Sequence, residues 1–150
     1  MKAFKSLSIV FGILSLLTGL LPYLRDTSLA EQIDKELKTS SGLGDEFVKK
    51  MAESAGLPSS GSLYTALAIA AIACLMVLVG IIMAIKKNEK VLFVGILVIL
   101  LAVVSIFLHP SVDMGANGGV SPKTAAIIHA IPTLLAGLFM YLLGNKLKTA

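Results

Sequence analysis

The chain is short of charge and of cysteine, and each shortage excludes something. Only 15% of its 150 residues are Asp, Glu, Lys or Arg, against 56% hydrophobic, whereas soluble domains run about 25% charged and about 45–50% apolar. A chain of this length cannot bury so much apolar surface around one core in water, which sets the soluble classes aside, nucleic-acid binders among them. Cys74 is the only cysteine, so no intrachain disulfide is possible and a CxxC or cysteine-rich metal site is excluded. The net charge of +4 is also what cationic flanks around membrane spans produce.

Charge is missing altogether from four stretches, Ser6 to Leu24, Leu63 to Ile85, Val91 to Leu108 and Thr124 to Leu143. Each is close to the ~20 residues that cross ~30 Å of hydrocarbon as a helix. None alternates as a barrel strand does, and a backbone in lipid must satisfy its own hydrogen bonds. The expected fold is an all-α integral membrane protein, a single domain of four transmembrane helices (about 6–24, 63–85, 91–108 and 124–143) in an antiparallel left-handed bundle. Met1 to Lys5 ahead of an apolar run resembles a signal peptide, but the run is longer than a signal core, so the first span is expected to be retained.

Short flanks assign the sides. Lys2, Lys5, Lys86, Lys87, Lys90, Lys146 and Lys148, with Glu89 as the only acid, fall on one side, whereas acids outnumber bases in the loop from Arg25 to Ser62. Basic flanks stay cytoplasmic, so both termini are expected in the cytoplasm of a bacterial-type inner or plasma membrane. Tyr23, Tyr64 and Tyr141 stand at span ends, where aromatic anchors sit.

Small residues recur at alternating steps of four and three, the seam spacing of left-handed helix packing. The expected packing positions are Ser8, Gly12, Ser15 and Gly19 in the first span; Ala66, Ala70, Ala73 and Gly80 in the second; Gly95 and Ala102 in the third; and Ala126, Ala130, Thr133 and Gly137 in the fourth. The third repeat also runs through Val98 and Ser105. Pro22 and Pro132 are expected to bend their helices, and the short link Lys86 to Lys90 makes the second and third spans antiparallel neighbours.

The first outer loop predicts a helical hairpin. Ser28 to Glu31 has capping-box spacing with Leu29, Ile33 and Leu37 on one face. A second helix over Asp45 to Ala55 carries Phe47, Val48 and Met51 before Gly56 and Pro58 stop it. These six apolar residues are the expected partner-docking surface. In the second outer loop, Gly115 to Gly119 permits positive φ angles and close backbone approach but lacks the Gly-Lys-Ser/Thr of a phosphate-binding loop, and Ser121 with Pro122 starts the fourth span.

No catalytic motif occurs, and the spans hold no charges of the kind that mark proton or ion routes. Only His109, at the end of the third span, and His129, about two turns into the fourth, offer chemistry. Two imidazoles on neighbouring helices suit haem b, or a metal shared with Asp113. The leading expectation is a non-enzymatic subunit that assembles with copies of itself or other membrane chains in the bilayer, without nucleic acid. The alternatives are a haem- or metal-binding component of an electron-transfer complex using His109 and His129, and an oligomeric pore lined by uncharged polar side chains.

Overall fold

The structure is a computed structural model, and it describes residues 1–39, 60–110 and 121–149. These residues form five helices and no strand: α1 (Lys2–Thr18), α2 (Leu20–Thr39), α3 (Ser60–Ile85), α4 (Val91–Leu108) and α5 (Pro122–Thr149). Four apolar stretches, Lys2–Glu31 across α1 and α2, Gly61–Ile85, Val91–Leu108 and Pro122–Thr149, are long and apolar enough to cross a membrane. This is the make-up of a multi-pass membrane protein.

The first apolar run is interrupted at Gly19 and then continues. Gly19 keeps right-handed helical angles, φ −61 and ψ −19, and its N–H donates to the Ser15 carbonyl. Three residues on, Pro22 has no N–H for the Thr18 carbonyl, which loosens the ladder at this point. The Thr18 hydroxyl turns back onto the carbonyls of Leu14 and Ser15.

Past the break the structure departs from expectation. Ser28 does not open a new helix, because α2 runs through Arg25, Asp26, Thr27 and Ser28 without a stop. No Gly or Pro lies between Tyr23 and Thr39 to end the ladder, and Leu29 and Ala30 are buried. Burial and continuous backbone bonding outweigh a local cap worth about 1 kcal/mol. The predicted second loop helix, with Phe47, Val48 and Met51, lies outside the described residues, as does the glycine run 115–119.

α3 ends in a tight reversal. The Asn88 N–H reaches back to the Met83 carbonyl and the Lys87 N–H to that of Ala84, the Schellman pattern, with Lys87 at φ 53 where glycine is usual. The Asn88 side chain then accepts the Lys90 N–H at 3.0 Å, and α4 begins one residue later. α4 stops at His109, which is extended at ψ 127, because a residue before proline is pushed out of the helical region. Ser121 Oγ accepts the Thr124 N–H at 3.3 Å and Pro122 takes the first helical position, as the sequence predicts. α5 continues through Pro132.

α5 is the hub, in contact with every other helix, while α2 packs on α3 and α5 but not on α4. The main core joins Val77, Ile81 and Ala84 of α3 to Val91, Val94 and Val98 of α4 and Ala136, Met140 and Leu143 of α5. Phe11 stacks on Phe139 with ring centres 5.6 Å apart. Outward, α1, α3 and α4 present large apolar side chains such as Leu17, Leu75, Leu100 and Phe107, a surface suited to hydrocarbon and costly in water. At one end, Lys2 and Lys5 of α1, Lys87 of the reversal and Leu143 of α5 line one cleft of about 330 Å³.

Candidate functional site: two buried polar clusters

The seam positions face inward. Ser8, Gly12, Ser15, Ala66, Ala70, Ala73, Gly80, Gly95, Ala102, Ala126, Ala130, Thr133 and Gly137 are all buried within this one chain, and Gly19 is half-buried. The closest approach is between α4 and α5, where a Cβ added to Gly95 would lie 2.5 Å from the Gly137 carbonyl oxygen. Of the expected docking residues, Leu29 is buried against its own chain at 7% exposure. The side chains of Ile33 and Leu37 lie outside the description.

The first polar cluster lies midway along the helices. Thr133 donates its hydroxyl to the His129 carbonyl at 2.7 Å, so the 2.6 Å contact between Ser15 and Thr133 must be a bond in which Ser15 donates. His129 Nε2 faces Ser15 Oγ at 3.5 Å and Cys74 Sγ at 3.6 Å. Gly19 makes this possible, since a Cβ there would meet Cys74 Sγ at 2.8 Å and His129 Nε2 at 3.4 Å. Cys74 is half-buried and opens onto an apolar groove of about 660 Å³ between α1–α2 and α3, lined by Leu16, Leu20, Tyr23, Tyr64 and Leu78 among others.

The second cluster sits near the opposite end from the lysine cleft, where α2, α4 and α5 converge. His109 Nε2 lies 2.6 Å from Asp26 Oδ2, and both side chains have 0% exposure. On the other side of the ring, Nδ1 is 2.7 Å from the Ser105 carbonyl oxygen and 3.3 Å from Ser105 Oγ. Lys123 closes the end of α4 by donating Nζ to the Ile106 carbonyl at 3.0 Å. Burial works against a charge on His109, but the Asp26 hydrogen bond, the Ser105 carbonyl and the Asp26 charge outweigh it against an opposing push from Lys123. The His109 pKa therefore sits above the usual histidine value.

This geometry bears on each sequence reading. Haem ligation would need both Nε2 atoms free, whereas one is committed to Asp26 and the other faces Ser15 and Cys74. No group of three or more His, Cys, Asp or Glu is placed to hold a metal among the described residues, and Asp113 lies outside them. For a pore, Ser15 and Thr133 are buried and bonded to one another. Ser8, Thr18, Thr27 and Thr65 bond to carbonyls of their own helices.

Asp26 is the residue that sequence reasoning placed wrongly. Its place directly after the charge-free run puts it with the outer loop by sequence. It lies instead on the buried face of α2, inside the first long apolar stretch. The signal was present: the four–three repeat through Ser8, Gly12, Ser15 and Gly19 continues to Pro22, Asp26 and Leu29, all buried. The same repeat through Gly95, Val98, Ala102 and Ser105 continues to His109. No family model, curated protein or solved structure matches this chain.

Proposed function

We propose that this chain is a non-enzymatic integral membrane protein, an antiparallel left-handed four-helix bundle with both termini cytoplasmic. It serves as an accessory subunit of a larger membrane assembly, with its outer-side segments carrying the contact to the partner. One observation supports the reading: the small-residue seams are used up inside the chain, and the outward faces of α1, α3 and α4 carry large apolar side chains. Close helix approach drives association in lipid, so a chain whose seams are filled internally is a self-sufficient module. Recognition of a partner then falls to residues outside the seams, and Phe47, Val48 and Met51, an apolar stripe in the sequence, are its proposed contact.

The experiment is cross-linking in native membranes followed by extraction of the full-length protein in mild detergent. A second chain, or a defined number of copies, recovered in fixed ratio is the expected result, with loss of that ratio on Phe47→Ser/Met51→Ser. Recovery as a monomer, with no chain captured before extraction, refutes the reading.

A further inference from the structure

The protons in the Asp26–His109 cluster can be counted from its geometry. The Ser105 carbonyl can only accept, so His109 Nδ1, 2.7 Å away, carries a hydrogen. On the other side, Nε2 and Asp26 Oδ2 approach to 2.6 Å. A neutral imidazole protonated on Nδ1 and an ionised carboxylate would face each other with lone pairs only. The contact therefore contains a second proton, held as imidazolium donating to carboxylate or as carboxylic acid donating to imidazole. Either way the loaded pair is neutral overall, which suits two side chains with 0% exposure.

Removal of that proton leaves one negative charge in a buried site: with the remaining hydrogen on Nδ1 the Asp26 contact opposes lone pairs, and with it on Nε2 the Ser105 carbonyl contact does, so the cluster loses one of its two short bonds either way. The surroundings make this consequential. α2 rests on α3 and α5, and its backbone makes no close approach to that of α4 among the described residues, so the pair is a side-chain tie between α2 and the C-terminal end of α4. Asp26 Oδ1 is buried without a hydrogen-bond partner among the described residues, and such an acceptor is costly unless the site also takes up a proton or a water. The other charged or titratable groups about the pair are Lys123 and His129, both on α5, which interact electrostatically with His109, and Arg25, next to Asp26 in sequence.

We propose that Asp26 and His109 form a proton-binding site whose occupancy fastens α2 to the end of α4 and whose emptying releases it. The ligand is a single proton, and the element that responds is α2. This goes beyond the accessory-subunit reading and does not depend on it, since it concerns the isolated chain.

Two readouts on full-length protein in lipid nanodiscs test it. Histidine 15N resonances, assigned by comparison with His129→Gln, report how many protons each ring carries as pH is varied. A spin-label distance between Thr27→Cys and Leu108→Cys, in a Cys74→Ser background, reports α2 against α4. The expected result is a short distance while Nδ1 and the shared proton are both present. It shifts to a longer one as pH rises, with a half-point that coincides with loss of the shared proton. Asp26→Asn should abolish the shift. A distance that stays constant while the pair loses its proton overturns the proposal, as does a shift of equal size in Asp26→Asn. Should Asp26→Asn fail to fold, the coincidence or non-coincidence of the two wild-type titrations still decides.

Discussion

The contact between α4 and α5 makes the sharpest stability prediction. A Cβ on Gly95 would sit 2.5 Å from the Gly137 oxygen, 2.7 Å from the Tyr141 nitrogen and 3.1 Å from Met140 Cβ. Two of the three are backbone atoms that no side-chain rotation can move. Ordinary contact begins near 3.4 Å, so Gly95→Ala requires the two helices to part by about 0.9 Å. Overpacking of this kind costs ~1–3 kcal/mol, and the upper end applies where backbone must give. Alanine returns up to ~1 kcal/mol of helix propensity, leaving a net loss of about 2 kcal/mol. Gly144→Ala should behave alike, because its Cβ meets the Leu92 backbone. The pair should cost less than the sum, since once α4 has moved off α5 the second methyl finds room. Gly61→Ala is the control: its Cβ meets nothing within 4 Å, so the change should be neutral or stabilising by up to about 1 kcal/mol of helix propensity. Loss of helicity against mole fraction of denaturing detergent in mixed micelles measures the series. If Gly95→Ala and Gly61→Ala unfold at the same midpoint, the helices do not approach as described and the seam argument fails.

The same assay addresses the buried pair. Asp26→Asn or His109→Gln alone should cost about 3–5 kcal/mol by stranding a buried polar partner, while Asp26→Leu/His109→Leu should cost less than either; a double variant as damaged as the sum of both singles contradicts this. Because the folded-state pKa of His109 is raised, its contribution to stability is full below the ordinary histidine pKa of about 6.5 and is lost as pH rises through the raised value. A wild-type stability that increases over that range refutes the assignment. A double-mutant cycle on Ser15→Ala and Thr133→Val should give a coupling near 0.6 kcal/mol, the usual yield of a hydrogen bond between membrane helices, and a coupling indistinguishable from zero removes the bond. In membranes, Cys74 should react with a small apolar maleimide and resist a charged impermeant one, and Gly19→Ala should slow the reaction by crowding Sγ. Equal rates for the two reagents would mean that the groove is open to water.

Much of the fold is legible in the sequence because lipid leaves the backbone few options. Long charge-free runs become helices, and the punctuation at Lys86 to Lys90 and at Ser121-Pro122 acts through local backbone chemistry that needs no tertiary partner. The Ser28 cap failed for the complementary reason: a capping side chain is a local preference, and burial of Leu29 and Ala30 on a continuing helix overrode it. Both histidines are legible in the sequence as polar side chains at or within the spans, but a list of residues does not say which ones meet. By sequence alone Asp26 falls in the outer loop, which leaves His129 as the visible partner for His109.

The sequence by itself determined which face of each helix turns inward. Steps of four and three are a property of helical geometry, and they run unbroken from Ser8 to Leu29 and from Gly95 to His109. Only the tertiary structure decided what those faces meet, because the partner of a side chain depends on how helices are arranged about α5. Asp26 and His109 lie 83 positions apart and on elements whose backbones do not come close among the described residues. The repeat carries each of them into the interior; the arrangement of the helices brings them within 2.6 Å of one another.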